Sequence, residues 1–399
     1  MTSKDVIPAQ KKTFRIGLLP MIFIAIILGI GAGFVFPEFL VRIFLTFNAL
    51  FSSFLNFVIP LIILGLVAPA IADIGKGAGK MLAVTVALAY GFTLISGFLA
   101  YGVAQFCFPP LLESNAGITP PEEAIAVQPF FTIDFPPLFG VMTALVAAFV
   151  FGIGMTTLRT SAMKDFFGDF RTVITKVISS VIIPLLPIYI FGIFMDMAYS
   201  GQAGNVISVF IKIIAVIFAL HIFLLVLQFC IAGIVVRKNP FRMLWNMLPA
   251  YFTALGTQSS AATIPVTLRQ TVSNGVDEDI AGFTVPLCAT IHLSGSTMKI
   301  VCCALALMMI QGLPYDFGMI AGFICMLGVT MVAAPGVPGG AIMAALGVLS
   351  SMLGFGETDI ALMIALYIAM DSFGTACNVT GDGAISLIVD SIFQNRRTL

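Results

Sequence analysis

Long apolar segments separated by short polar stretches fill the first 240 residues of the chain. Six of these segments are long enough to cross a bilayer core of about 30 Å as helices that rise about 1.5 Å per residue. They span residues 16–36, 43–72, 79–108, 136–158, 173–198 and 205–236. Because the apolar runs are continuous and do not alternate with period two, they predict membrane-spanning helices and not a β-barrel.

After Pro240 the apolar segments are interrupted by small and polar residues. The interruptions are Gly256–Pro265, His292–Ser296, Ala333–Gly340 and Asp371–Asp382. They predict, in order, a re-entrant hairpin, a broken span, a second hairpin and a second broken span, over residues 241–280, 281–312, 313–356 and 357–399. Irregular backbone at membrane depth is tolerated where it lines protein or a water-filled cavity. Inverted repeats of such interrupted helices are typical of secondary transporters.

Composition and charge place the chain among integral membrane proteins. Apolar residues make up 59% of the sequence and charged residues 10%, which is more apolar surface than a soluble core absorbs. The net charge of zero gives no electrostatic basis for binding nucleic acid. Basic residues fall at the N-terminus and after the second, fourth and sixth spans. The positive-inside rule therefore predicts a multi-pass protein of the cell membrane with both termini in the cytoplasm.

The sequence carries no pattern typical of an enzyme. Its seven cysteines lie in apolar segments without zinc-ligand spacing. No Ser–His–acid set, metal-ligand cluster or phosphate-binding loop is evident. A channel is the rival class, but it would need a continuous polar pore, whereas the interruptions cluster at one depth. We therefore predict a carrier, not an enzyme, with no cofactor and with membrane lipid and a small molecule as partners.

The last interruption has the strongest chemical pattern. Four of its polar residues are spaced i, i+4, i+7 and i+11, which places them on one helical face. They are Asp371, Thr375, Asn378 and Asp382. Ionisable side chains at membrane depth are costly and tend to mark a binding site or a pathway. Asp371 suits a substrate ammonium, Asn378 a carboxylate and Asp382 a small cation, so the pattern predicts a site for a zwitterion.

Four stretches resemble the signature motifs of the dicarboxylate/amino acid:cation symporter family, which includes the glutamate and the neutral amino acid transporters. They are Gln258–Pro265, Pro286–His292, Gly336–Gly339 and Asn378–Asp382. The resemblance implies an all-α elevator fold like that of the glutamate transporters, with eight transmembrane helices and two re-entrant hairpins, in a homotrimer. It implies a fixed scaffold formed by residues 1–78 and 109–204. The remaining residues, 79–108 and 205–399, would form the moving domain, with the second hairpin as the extracellular gate.

The resemblance also implies two sets of site residues. The substrate set is Ser259, Ser260, Ser296, Val337, Gly339, Asp371, Gly374, Thr375 and Asn378. The cation set, for sodium, is Cys288, Thr290, His292, Met331, Val332, Ala334, Asn378 and Asp382.

Departures from the family pattern bear on the substrate. Relatives that carry acidic substrates have an arginine three residues after the amine-binding aspartate, where this chain has Gly374, and often another at the position of Gln258. With no cation expected at either place, a second carboxylate would be buried unpaired, which is costly. We therefore predict small neutral amino acids such as serine, threonine or alanine. A dicarboxylate or an acidic amino acid is the alternative within the family.

Ion coupling departs from the family as well. The family's central break reads Asn-Met-Asp, whereas this chain has His292, Leu293 and Ser294. We predict that one sodium site is absent and that fewer sodium ions are coupled. The alternative is a proton-coupled or ion-independent carrier in which His292 or Lys299 takes the place of a cation. Lys299 either extends to the membrane surface or holds a fixed positive charge.

Overall fold

A computed structural model describes residues 18–75, 79–113, 127–201, 203–332, 334 and 338–394, and every regular element within these ranges is helical. The helices are α1 (Leu18–Val35), α2 (Glu38–Gly75), α3 (Gly79–Glu113), α4 (Val141–Thr157), α5 (Ala162–Val177), α6 (Ile183–Tyr199), α7 (Ala203–Val236), α8 (Pro240–Asn246), α9 (Leu248–Thr257), α10 (Ser260–Ser273), α11 (Glu278–Ile291), α12 (Ser294–Gln311), α13 (Phe317–Val332), α14 (Gly340–Leu353), α15 (Glu357–Ala369) and α16 (Asp371–Gln394). A π-helical turn over Ile178–Ile182 joins α5 to α6.

Each of the six predicted front-half spans corresponds to a helix or to the continuous pair α5–α6. Within the described ranges, five helical stretches are both long and apolar enough to cross a membrane. They are Glu38–Ala72, Gly79–Leu112, Ala162–Tyr199, Phe210–Val236 and Glu278–Gln311. The bent pair α15–α16 adds a sixth if it is counted as one span. The prediction of an integral membrane protein is confirmed, and the count of eight crossings stays a prediction.

The helices pack in two groups. In the first, α1 lies along α6, and α2 packs against α4, α5 and α6. In the second, α16 is surrounded by α7, α9, α10, α11 and α12, and α3 packs along α12. The helices α14 and α15 contact the first group, through α2 and through α1 and α6 respectively. The residues of α16 from Asp371 to Asp390, apart from Phe373, are buried, so this polar helix lies at the centre of the second group.

The helix pairs α9–α10 and α13–α14 and two breaks lie at the predicted interruptions, but three of the four interruptions are shorter than the sequence indicated. That the two helix pairs are re-entrant stays a prediction. The prediction that Gly256–Pro265 is irregular is wrong, because only Gln258 and Ser259 separate α9 from α10. Ser259 caps α10, and the Thr263 hydroxyl donates to the Ser259 carbonyl at 2.8 Å. Such local bonds let hydroxyl-bearing residues remain helical.

The break in each broken span covers fewer residues than predicted. The first breaks at His292 and Leu293, and Ser294 already begins α12. The second breaks at Met370 with a bend of 62° between α15 and α16. The prediction that Asp371–Asp382 interrupts a helix is wrong, because this stretch is continuous helix. Within the second hairpin, residues 333 and 335–337 lie outside the described ranges, and Val337 is among them.

Close contact between α1 and α6 depends on two glycines one turn apart. A Cβ on Gly29 would lie 2.5 Å from the Phe191 carbonyl oxygen, and a Cβ on Gly33 would overlap the Met195 carbonyl oxygen. Small residues four apart allow helix backbones to approach in membranes. Gly31, on the other side of α1, has no atom within 4 Å of its added Cβ.

We expect Gly29→Ala to destabilise the protein by about 1–3 kcal/mol, because the new methyl group meets backbone that cannot rotate away. Gly31→Ala is the matched control and should be neutral or slightly stabilising, since alanine favours helix. Thermal unfolding of both purified variants measures the difference. Equal melting temperatures for the two variants would contradict the α1–α6 packing described above.

Candidate functional site

The buried N-terminus of α12 is capped by a side chain from α16. Leu293, which precedes α12, provides no side-chain cap. Instead, the Asn378 Oδ1 accepts hydrogen bonds from the backbone N–H groups of Gly295 at 2.8 Å and Ser296 at 3.4 Å. The Asn378 Nδ2 donates to the Ser296 Oγ at 3.1 Å. The first N–H groups of a helix have no partner within the helix, so Asn378 satisfies them where water is excluded.

The Asp371 carboxylate binds two other elements. Its Oδ1 lies 3.0 Å from the Lys299 Nζ, on the second turn of α12. Its Oδ2 accepts a hydrogen bond of 2.8 Å from the backbone N–H of Gly339, at the tip of the second hairpin. Gly339 is the N-cap of α14 and has a φ of 74°, a conformation that glycine adopts without strain. Asp371 thus joins α12, α16 and the hairpin tip at one point.

Lys299 fills the space beside Gly374. A Cβ added to Gly374 would lie 2.8 Å from the Lys299 Nζ. The expectation that no cation stands at this place is therefore wrong: α12 supplies an ammonium where some relatives have an arginine on the last span. The interpretation of Lys299 as a side chain that extends to the membrane surface is also wrong, because its side chain is 0% exposed and points to Asp371.

Tyr367 links the two parts of this network. Its hydroxyl lies 3.0 Å from the Ser296 Oγ, and the Lys299 Nζ lies 3.4 Å from the centre of its ring. An ammonium over an aromatic face is stabilised by the ring quadrupole. Thr375 turns back to its own helix, where its hydroxyl donates to the Asp371 carbonyl at 2.8 Å.

Asp382, three turns beyond Asp371, pairs with the break in the first broken span. Its Oδ1 lies 2.9 Å from the His292 Nδ1, and both side chains are almost fully buried. The Gln228 Nε2, from α7, lies 3.3 Å from the His292 Nε2 and donates to the Ser294 Oγ at 3.1 Å. With its proton on Nδ1, the imidazole donates to Asp382, and its Nε2 can accept from Gln228. The Gln228 side-chain amide thus fixes the position of the Ser294 hydroxyl.

The other predicted cation ligands differ in burial and in their hydrogen bonds. The Cys288 carbonyl already accepts a hydrogen bond of 2.8 Å from the His292 N–H. Thr290 is exposed, Met331 and Ala334 are buried, and Val332 is half-buried. The Ala334 N–H donates to the Met331 carbonyl at 3.1 Å, as at the end of a helix. No group of three or more His, Cys, Asp or Glu side chains with metal-site geometry occurs among the described residues.

Both helices of the first hairpin, α9 and α10, pack against α16. α10 packs against α16 and begins at the predicted site residue Ser260, which is buried. The neighbouring Ser259 accepts a hydrogen bond of 3.3 Å from the Ala262 N–H. Both serines therefore lie at a helix N-terminus, as expected for donors to an anion.

Comparison with known proteins identifies the family. The family model of the sodium:dicarboxylate symporters matches residues 18–392. The chain belongs to the sodium:dicarboxylate symporter family. The match covers both halves of the chain, whereas the four sequence motifs lie only in the second half. The resemblance inferred from those motifs is confirmed, and so is the coarser expectation of a multi-pass membrane transporter.

Serine/threonine transporters are among the similar family members. The serine/threonine transporter SstT of Streptococcus suis (strain 05ZYH33) is 27% identical over 341 residues, which cover 82% of this chain and 93% of that protein. SstT of Acinetobacter baumannii (strain SDF) is 28% identical over 393 residues, which cover 94% and 97%. Excitatory amino acid transporter 1 of Rattus norvegicus is 28% identical over 251 residues, which cover 62% of this chain and 46% of that protein.

The sequence analysis did not identify several side chains that contact the predicted site residues. Gln228 was not identified, although a glutamine within an apolar span is itself a signal of a polar site. His221 was not identified either, and its Nε2 lies 3.0 Å from the Gly295 carbonyl oxygen beside the break. The pairing of Lys299 with Asp371 was also missed, because sequence alone did not indicate which acid would face the lysine.

We expect Asp371→Asn to loosen the tip of the second hairpin in this symporter. An amide has a single acceptor oxygen and cannot bind both the Lys299 ammonium and the Gly339 N–H. Loss of a charge-assisted hydrogen bond should speed hydrogen exchange of the Gly339 amide by about tenfold or more. Hydrogen-exchange mass spectrometry measures this rate.

The matched control is Asp390→Asn, since the Asp390 carboxylate accepts from the Asp277 N–H at the far end of the same helix. That change should affect exchange near Asp277 and leave Gly339 protected. An unchanged rate at Gly339 in Asp371→Asn would show that the carboxylate does not hold the hairpin.

Proposed function

We propose that this chain is a secondary active transporter that carries small neutral amino acids, serine and threonine foremost, together with sodium. The observation that carries the proposal is the arrangement on α16, where Asp371 and Asn378 face the N-terminus of α12 two turns apart. A carboxylate and a set of N–H donors on neighbouring turns of these helices suit the two oppositely charged ends of an amino acid. The names of the serine/threonine relatives support the choice of substrate.

Substrate binding would replace hydrogen bonds that the site residues now make with one another. The substrate ammonium would take an oxygen of Asp371 that now serves Lys299 or Gly339. The substrate carboxylate would accept hydrogen bonds from the Asn378 Nδ2 and the Ser296 Oγ, which now bond to each other. Because Gly339 lies at the hairpin tip, replacing its bond to Asp371 would free the second hairpin to open and close over the substrate.

Sodium would bind at Asp382. The Gln228 Oε1 is buried without a hydrogen-bond partner and would lie 2.5 Å from a Cβ added to Gly381, the residue before Asp382. An unpartnered oxygen that lies against the residue before a buried carboxylate suits a hard cation. The serine hydroxyl at position 294, held by Gln228, supports the absence of the sodium site that relatives build from an aspartate there. Fewer coupled ions follow from this proposal.

An ion-independent or proton-coupled carrier is the second candidate. It is favoured by the His292 imidazole, which already donates to the carboxylate that sodium would need. In that case the hydrogen bond from the buried histidine would stabilise the Asp382 carboxylate, and no sodium ion would be carried. Sodium dependence of transport separates the two candidates.

We infer the domain organisation and the oligomeric state from the family resemblance. Residues 1–78 and 109–204 would form a scaffold that holds a homotrimer, and residues 79–108 and 205–399 would move as an elevator. The packing of α1, α2, α4, α5 and α6 as one group supports this division, and α14 and α15 would be moving elements that contact it. The second hairpin would be the extracellular gate, and both termini would lie in the cytoplasm.

We expect vesicles that contain the purified protein to accumulate labelled serine by saturable counterflow, and a sodium gradient to raise the rate. Asp382→Asn should abolish the sodium dependence, because it removes the charged ligand. Asp390→Asn, near the end of the same helix, is the control and should retain it. Unitary currents without substrate would instead support a channel, and sodium-independent counterflow in the unaltered protein would favour the second candidate.

We expect the Gly374→Arg and Lys299→Met double variant to admit aspartate and to weaken serine binding. The arginine supplies a cation for the second carboxylate, and removing Lys299 clears the space that the new side chain needs. Gly374→Arg alone should bind neither substrate well, since two cations would crowd Asp371. Competition of aspartate with labelled serine measures the effect, and equal aspartate binding in the single and double variants would contradict this account.

A further inference from the structure

Lys299 is unusual among the cationic side chains of this protein. It is the only lysine or arginine that is fully buried among the side chains that the structure describes. Its Nζ has one carboxylate partner, the Asp371 Oδ1 at 3.0 Å. Since a lone buried charge costs far more than a paired one, each member of the pair depends on the other.

We propose that Lys299 is a tethered competitor of the substrate: its ammonium occupies Asp371 in the empty carrier, and the substrate's ammonium must displace it to bind. The inference rests on the proposed function in one respect, namely that the substrate carries an ammonium that binds Asp371. It assigns Lys299 a specificity-determining role, because a ligand without a cationic group cannot displace it.

The surroundings of Lys299 provide a second position for the displaced ammonium. The Nζ lies 3.4 Å from the centre of the Tyr367 ring. It also lies 3.4 Å from the Tyr367 carbonyl oxygen and 3.5 Å from the Met370 carbonyl oxygen, both at the break between α15 and α16. A ring face and two carbonyls attract a cation without carrying a charge. The side chain therefore needs only a small shift to leave Asp371.

Gly374 contributes by leaving room for that ammonium. Any side chain there would begin 2.8 Å from the Lys299 Nζ and 2.9 Å from its Cε. The space that Gly374 leaves on α16 is thus occupied by the Lys299 side chain of α12. The same pairing neutralises Asp371 when no substrate is bound, so the empty site carries no uncompensated charge through the membrane.

A direct role in binding the substrate carboxylate is the rival explanation for Lys299, and it predicts the opposite sign. If Lys299 competes with substrate, its removal should tighten binding. If Lys299 binds the carboxylate, its removal should weaken binding. A ligand whose binding-competent state is a minor fraction loses affinity by that fraction, so a competitor that occupies Asp371 for nine-tenths of the time or more reduces affinity about tenfold or more.

The experiment uses the purified full chain and Lys299→Met, which keeps the length of the side chain but removes its charge. Methylammonium chloride is the first probe, with tetramethylammonium chloride at the same concentration as the control for ionic strength. We expect a saturable rise in melting temperature with methylammonium in Lys299→Met. We expect no such rise in the unaltered protein, where the tethered ammonium is present, or in the Lys299→Met and Asp371→Asn double variant. No selective rise in Lys299→Met, or an equal rise in all three proteins, would overturn the proposal.

Serine affinity is the second readout. We expect Lys299→Met to bind serine about tenfold more tightly or better, and Lys299→Arg, which keeps the charge, to stay near the unaltered protein. Weaker binding in Lys299→Met would overturn the proposal and favour the carboxylate role. If the unaltered protein binds no serine at all, the proposed substrate fails, but the methylammonium result still decides the role of Lys299.

A folding defect would not leave the question open. If Lys299→Met does not yield folded protein, the double variant with Asp371→Asn should restore it, because both charges are then absent. A double variant as unstable as the single one would show that Lys299 does not act through Asp371 and would overturn the proposal.

Discussion

The carboxylate of Asp371 is the group on which the rest of the site depends. One oxygen binds the ammonium of Lys299 and the other binds the N–H of Gly339, so α12, α16 and the second hairpin meet on a single side chain. Buried charges persist only when they are paired and hydrogen-bonded. Any ligand that takes an oxygen of Asp371 must therefore displace Lys299 or Gly339, and displacement of Gly339 would release the tip of the second hairpin.

The helix N-termini around Asp371 explain why the buried helix α16 contains so many polar residues. Asn378 caps α12 and Asp371 binds the N-cap residue of α14, whereas the hairpin helix α10 is capped by its own Ser259. Helix N-termini carry unpaired N–H groups and partial positive charge. Without α16 these groups would be unsatisfied in an apolar interior, and with it they form a site where an anionic group of a ligand can replace a protein oxygen.

The spans, the breaks and the helical face of α16 were predictable because they are local patterns of apolar and polar residues. The exact lengths of the breaks were not, since Thr263 and its neighbours satisfy their hydroxyls within the helix. The decisive contacts join residues far apart in the chain: Lys299 and Asp371 are 72 positions apart, and His292 and Asp382 are 90. Such pairs depend on how helices pack, which one sequence does not contain. The cation beside Gly374 was missed for this reason.

Structures of the purified protein with and without bound serine test the central claim most directly. The account predicts that in the empty carrier the Lys299 ammonium and the Gly339 N–H both lie within hydrogen-bond distance of Asp371. With serine bound, the serine ammonium should lie on Asp371, with Lys299 shifted toward the carbonyls of Tyr367 and Met370. Serine bound while the contact between Lys299 and Asp371 stays intact would contradict the account.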